Sequence, residues 1–426
     1  MTTARHPGLA PVRAVLGNGA VVIAKESKVT PAVTVYASLG AGTICDPPHL
    51  LGLSNFVART IDRGTEARSA DRIGDELDTR GVSLSVTVGR HALALVCTCL
   101  AEDFAPTLDL LADIVRHPTF PDNEVDTKRG EILTLLRQDE DDPGERASEG
   151  VLGDLYGGDH PYGRPPRGSA ESVERVDRDA LRTHHAERVS PGSLSLVIVG
   201  DVEPARATAA AASAFGDWTS ATPATVEVPE VASASSRRVR VIPMMNKAQA
   251  DIAYGFVSVR RADPDYDAYR LMNNILGQYA MGGRLGDSIR ERQGMAYYVF
   301  SALDADVIPG PLTIRAGVSP ADVDRAVASI DEEMEKLATD GPTESEMTES
   351  TQYLIGSMPR ALETNLGIAA FLQAEERLGL GLDYELRMPG LLRAVTRDAV
   401  ASAARQLLVP SHATVVVAGP YAGDVR

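Results

Sequence analysis

Asn55, Ala58 and Arg59 stand at positions i, i+3 and i+4 of the stretch GLSNFVARTIDRGT, Gly52 to Thr65. On a helix this spacing puts three side chains on one face. It is the arrangement that lets a helix hold two metal ligands with a general base beside them. An amide, a methyl group and a guanidinium cannot do that work. Asn is a poor metal ligand, Ala58 has no proton acceptor, and Arg59 would set a fixed positive charge beside a cation. Leu53, Phe56, Val57, Thr60 and Ile61 form a second, mostly apolar face at i, i+3, i+4, i+7 and i+8, the pattern of a helix packed on a core. Two readings are open at this point: a metal site that has been emptied, or an ordinary solvated helix face on which Asp62 pairs with a neighbouring arginine.

The rest of the chain must position that helix. Its 426 residues exceed one ordinary core and point to two large domains or several small ones. A hydrophobic content of 44% and a charged content of 24% are those of a globular protein. The formal net charge of −17 argues against a nucleic-acid partner. No run of eighteen apolar residues is present, so no spanning helix and no membrane partner are expected. The first nineteen residues lack the apolar stretch of a signal peptide. Three cysteines are too few for a disulfide framework; Cys97 and Cys99, two apart, share one face of an expected strand as buried thiols. Together these features lead us to expect a cytoplasmic protein. None of the eight histidines is paired at helical spacing, and adjacent His184 and His185 point in different directions on a helix.

The sequence repeats itself. Val173–Asp201 aligns with Leu392–Pro420 without a gap at an offset of 219, matching Arg178-Asp179-Ala180 with Arg397-Asp398-Ala399, Pro191 with Pro410 and Gly200 with Gly419. Each copy reads as an N-capped helix, a proline turn and a buried strand. RIGDELDTRG, Arg72 to Gly81, resembles RLGDSIRERQG, Arg284 to Gly294, at an offset of 212 through Asp75 and Asp287. Two pairs in the same order argue for duplication. The stretch Trp218–Ser236 is rich in Ser, Thr, Ala and Pro and reads as an extended linker. The expected organisation is 1–215 as a first domain, 216–237 as linker and 238–426 as a second domain. Helices and strands do not alternate strictly, which favours an α+β fold.

Five pieces in order carry a resemblance: GAGTICDPPHLLGLSNFVARTIDRGT, ELDTRGVSLSVTV, EILTLLRQDEDDP, HPYGRPPRGSAESVERVDRDAL and GGRLGDSIRERQGMAYYVFSA. Across about Leu16 to Val417 the chain resembles the pitrilysin/insulinase family of zinc peptidases, in the half-size form related to mitochondrial processing peptidase subunits. The resemblance implies two homologous α+β domains, each an antiparallel-rich sheet covered by helices. It also implies pairing of two chains into a clam-shaped chamber around an unfolded peptide. The catalytic chain of such a pair carries H-x-x-E-H, whose counterparts here are Asn55, Ala58 and Arg59. A later Glu completes the zinc site in that family; its place falls near Thr134 and Leu135, and Glu131 lies one turn earlier, roughly 6 Å along the helix. The resemblance therefore implies a vacated site, no cofactor in this chain, and zinc in the partner subunit.

The same resemblance implies what such a chain supplies instead. In this family the metal-lacking chain often provides an Arg and a Tyr seven residues apart, which fall on Arg290 and Tyr297 of RERQGMAY. A guanidinium and a phenol can bind a substrate carbonyl or its oxyanion, and Gly294 would let the chain turn from helix to strand. Packing of Tyr297 and pairing of Arg290 with Asp287 or Glu291 is the bland alternative. Lys247 and Gln249 match a family position and are read as structural, and the glycine loop Gly282–Gly286 as a helix start with room for an anion. The expected function is a non-catalytic subunit of a heterodimeric zinc peptidase, with a structural scaffold derived from a peptidase as the alternative.

Overall fold

The computed structural model describes residues 8–221, 223–231, 234–279 and 282–423. They divide into two compact units. The first unit takes in the chain to Leu136, Pro165–Val228 and Pro359–Glu385. Its sheet is built from β1 (Val12–Val15), β2 (Val21–Glu26), β3 (Ala32–Leu39), β4 (Ser83–Val88), β5 (Leu93–Leu100) and β6 (Ser195–Gly200), in the order β1-β2-β6-β3-β5-β4. β2 and β6 run parallel and all other neighbours antiparallel. The second unit takes in Arg137–Arg164, Pro229–Met358 and the chain from Leu386. Its sheet holds β7 (Arg238–Pro243), β8 (Ala250–Val257), β9 (Ala296–Leu303), β10 (Pro311–Val318) and β11 (Thr414–Gly419), ordered β7-β11-β8-β10-β9. Here β7 and β11 are the parallel pair. Without β1, the two sheets have the same order and the same strand senses.

The repeat seen in sequence recurs residue for residue in structure. Helix Arg178–Arg188 and helix Arg397–Leu407 start and stop at the offset of the repeat, as do β6 and β11. Asp177 caps the first by accepting from the Ala180 N–H at 2.8 Å, and Thr396 caps the second by accepting from the Ala399 N–H at 3.1 Å. Each cap satisfies a donor that a helix start leaves without an intrahelical partner.

The units are not two contiguous segments. Helix Pro143–Tyr156, from the first half of the sequence, packs on β8 and β11, where Ala147 and Val151 join Ala253, Val416 and Ala418. Helix Asn365–Leu378, from the second half, packs on β6 and β3, where Ile368, Ala369 and Leu372 join Ile23, Val197 and Val199. Each sheet thus gains one of its covering helices from the other half of the chain, so the expected boundaries at 215 and 238 miss two exchanged segments. The linker expectation starts too early at one point: Trp218 is buried with the first unit's core, beside Phe215. No helix or strand is present among the described residues from there to Arg237.

Cys97 and Cys99 lie buried on one face of β5, and the three cysteines are free. Among the described residues no helix is long and apolar enough to cross a membrane.

Candidate functional site

Helix Leu53–Thr60 buries the expected apolar face: Leu53, Phe56, Val57, Thr60 and Ile61 are all at most 2% exposed. Its start is built around a carboxylate. Asp46 accepts from the Gly52 N–H at 2.9 Å, the Ser54 N–H at 2.8 Å and the Ser54 hydroxyl at 2.6 Å. The same hydroxyl lies 3.0 Å from His184 Nε2. Asp46, Ser54 and His184 are buried, so this network anchors the helix from within. Burial pushes the His184 imidazole down to about 4, leaving it neutral near pH 7. Gly52 takes φ +86°, and a side chain there would collide with the Arg167 carbonyl. The neighbouring His185 turns elsewhere and bonds the Val115 carbonyl at 2.8 Å.

The polar face is not ordinary solvated surface. Ala58 is 5% exposed and belongs to the first unit's core. Asn55 is half-buried, with its Nδ2 buried and without a hydrogen-bond partner among the described residues. Arg59 is half-buried. Asp62 pairs with Arg63 at 3.1 Å, while burial pushes its carboxyl above the usual carboxylate range. On the helix Asp122–Glu140, Thr134 is exposed and turns its hydroxyl back to the Gly130 carbonyl at 2.8 Å. Leu135 is half-buried, and Glu131 is exposed and paired with Lys128 at 2.8 Å. Among the described residues no three His, Cys, Asp or Glu side chains converge to hold a metal ion.

In the second unit the segment carrying Arg290 departs from regular helix. Gly286–Arg292 is π-helical, with hydrogen bonds that span one residue more than those of an α-helix. It closes at Gly294, φ +64°, whose N–H reaches the Arg290 carbonyl at 3.1 Å while the Met295 N–H reaches the Ile289 carbonyl at 3.0 Å. This is the nested closure of a glycine-terminated helix with both bonds one residue longer. Arg290 is half-buried and its Nε lies 3.3 Å from Glu291, the pairing the bland reading expected. Tyr297 is 86% exposed. In the ladder between β9 and β10, Tyr298 faces Gly317 and Ala296 faces Val318, so Tyr297 is the extra residue of a β-bulge. A bulged residue on an edge strand is turned out of the pleat, which accounts for its exposure.

Spacing missed the partners around it. The Tyr298 hydroxyl donates to Asp251, whose carboxylate also accepts from Gln249 Nε2 at 3.2 Å. Burial and that carboxylate push the Tyr298 phenol above its ordinary range, so it stays a donor. These groups line a cavity of about 580 Å³ with Lys247, Phe300 and Arg315. Lys247 pairs with Asp141 at 2.7 Å, so Lys247 and Gln249 both have structural partners. In the glycine loop, Arg284 is held by Glu346 at 2.6 Å and donates to the Gly341 carbonyl.

The twin sheets of like order, with the helix at residues 53–60 anchored by a buried acid, define a pitrilysin-like two-domain chain. The insulinase (peptidase family M16) model matches residues 21–163, and the peptidase M16 inactive domain model matches residues 175–354. The chain belongs to the peptidase M16 family. It is 27% identical over 425 residues to an uncharacterized zinc protease of Mycobacterium tuberculosis, spanning 97% of this chain and 94% of that protein. It is 22% identical over 348 residues to a non-peptidase homolog of Helicobacter pylori, spanning 80% of this chain and 78% of that one. Its fold is that of the peptidase M16 inactive domain crystal structure from Pseudomonas fluorescens, with a TM-score of 0.90, 24% identity and coverage of 98% and 99%.

Proposed function

We propose that this chain is the non-catalytic subunit of a two-chain zinc peptidase. A homologous partner carries H-x-x-E-H and the zinc, and both chains bind the unfolded peptide. Arg290 and Tyr297 of this chain act on the substrate backbone at the partner's metal, and the assembly is cytoplasmic.

One contrast carries the reading. At Asn55, Ala58 and Arg59 the frame of the helix is intact while the chemistry is gone. At Tyr297 the frame is altered, and the alteration brings a phenol into solvent. A packing residue gains nothing from 86% exposure, whereas a donor meant for another molecule needs it. Peptide hydrolysis builds negative charge on the scissile carbonyl oxygen, and a guanidinium and a phenol are donors suited to it.

The test is reconstitution. The purified chain is mixed with a homologous H-x-x-E-H chain from the same organism, and cleavage of an unfolded peptide is followed. Activity that neither chain shows alone is the expected result. A stable one-to-one complex no more active than the partner alone overturns the proposal and leaves the scaffold reading.

A further inference from the structure

The bulge at Tyr297 is held by a row of residues crossing three strands. Tyr298 on β9 faces Gly317 on β10, and Gly317 faces Asp251 on β8. With no side chain at Gly317, the Tyr298 ring lies over the middle strand and its hydroxyl reaches the Asp251 carboxylate. A Cβ at Gly317 would stand 2.6 Å from Tyr298 Cε1 and would also collide with Gln249 Nε2. The glycine is therefore needed for the tyrosine to cross. Asp251 is 5% exposed and receives donors from both Tyr298 and Gln249, so the far end of the row is fixed. The ladder shifts register between Gly317 and Val318, immediately beside the row.

We infer that Tyr298, Gly317 and Asp251 form a cross-strand latch that positions Tyr297. Sheet register slips readily where nothing pins it, and a one-residue slip sends every side chain to the other face. Near its start β9 is pinned by Tyr298. The extra residue must then be taken up on the N-terminal side of Tyr298, and that residue is Tyr297. Tyr298 is a positioning residue: it acts through its neighbour and touches no substrate. The inference rests on the reading of Tyr297 as a substrate contact, and its test separates the two.

The chain is labelled with 3-fluorotyrosine, and the Tyr297 signal among the twelve tyrosines is assigned with Tyr297→Phe. Gly317→Ala places a methyl group where the ring crosses. It is expected to shift or split the Tyr297 fluorine resonance and to lower kcat of the reconstituted peptidase by about 3- to 30-fold with KM little changed. In a Tyr297→Phe background the same substitution is expected to cost little more. Tyr298→Phe keeps the ring and removes only its bond to Asp251; it gives a smaller shift in the same sense and serves as the readout should Gly317→Ala not fold. An unmoved Tyr297 resonance in the folded variants overturns the latch. So do turnover losses that add in full to that of Tyr297→Phe. If reconstitution yields no activity, the pairing proposal falls, and the resonance alone decides the latch.

Discussion

β4 and β9 are the same strand of the duplicated fold, and they treat their outermost position differently. β4 pairs with β5 without interruption from Ser83–Thr98 to Val88–Leu93, alternating outward Ser83, Ser85 and Thr87 with inward Leu84, Val86 and Val88. β9 carries a bulge that lifts Tyr297 out of the ladder. The difference extends upstream. The helix before β4, Ala70–Thr79, is α-helical throughout, whereas Gly286–Arg292 before β9 is π-helical. Both segments close at a left-handed glycine, Gly81 at φ +61° and Gly294 at φ +64°. The offset between the repeats grows from 212 at Asp75/Asp287 to 213 at Gly81/Gly294. One added residue in a helix is absorbed by widening a turn, and that widening falls around Arg290. The two copies differ in backbone as well as in side chains: β9 holds a bulge that β4 lacks, and a π-helical segment precedes it. Helix Leu53–Thr60, by contrast, is regular and held by the buried Asp46.

The largest effect is expected at Arg290 and Tyr297. In a reconstituted complex, Arg290→Ala and Tyr297→Phe should each lower turnover by about 10²–10³, or roughly 2.7–4 kcal/mol of transition-state stabilisation, with zinc content and assembly unchanged. Steady-state kinetics on the two variants checks this. Near-full activity in both would make the bulge a packing feature, no different in kind from β4.

A second expectation concerns the buried anchor of helix Leu53–Thr60. His184 is pushed from the usual 6.5 down to about 4, so the unfolded chain binds the proton more readily. Stability from this group is complete above pH 6.5 and is lost as pH falls toward 4. The full loss amounts to about 3 kcal/mol. Denaturant melts between pH 7 and 4 should show this slope, and His184→Gln should flatten it while melting earlier at pH 7. An equal slope in both proteins would place the acid sensitivity elsewhere.

The smallest effect is expected at the two glycines that close these segments. Gly81 and Gly294 have similar positive φ and open space where a Cβ would stand. Gly81→Ala and Gly294→Ala should each cost about 1 kcal/mol by backbone strain alone. Thermal melts that differ strongly between them would show that the π-helical closure carries strain that the α-helical one does not.

Much of this was readable in the sequence, because it rests on local periodicity. The apolar face from Leu53 to Ile61, the paired helices at 178 and 397 and the shared face of Cys97 and Cys99 all follow from spacing along one element. The exchanged helices were not readable, since nothing local to Pro143–Tyr156 says which sheet it covers. Tyr297 and Tyr298 are adjacent in sequence, and only the pairing with β10 tells the bulged residue from the latched one. Gly317 within an otherwise regular strand was the available signal for a close approach. In the Asp46–Ser54–His184 network, His184 lies 130 residues from Ser54, and nothing local pointed to that contact.

Zinc content of the purified chain separates a helix face without ligands from a working metal site. No stoichiometric zinc is expected after mild chelation, and no cleavage of unfolded peptides by the chain alone, because Asn55, Ala58, Arg59, Thr134 and Leu135 supply no ligand set. One tightly held zinc per chain, with peptidase activity that follows it, would show that the chain carries a working metal site of its own.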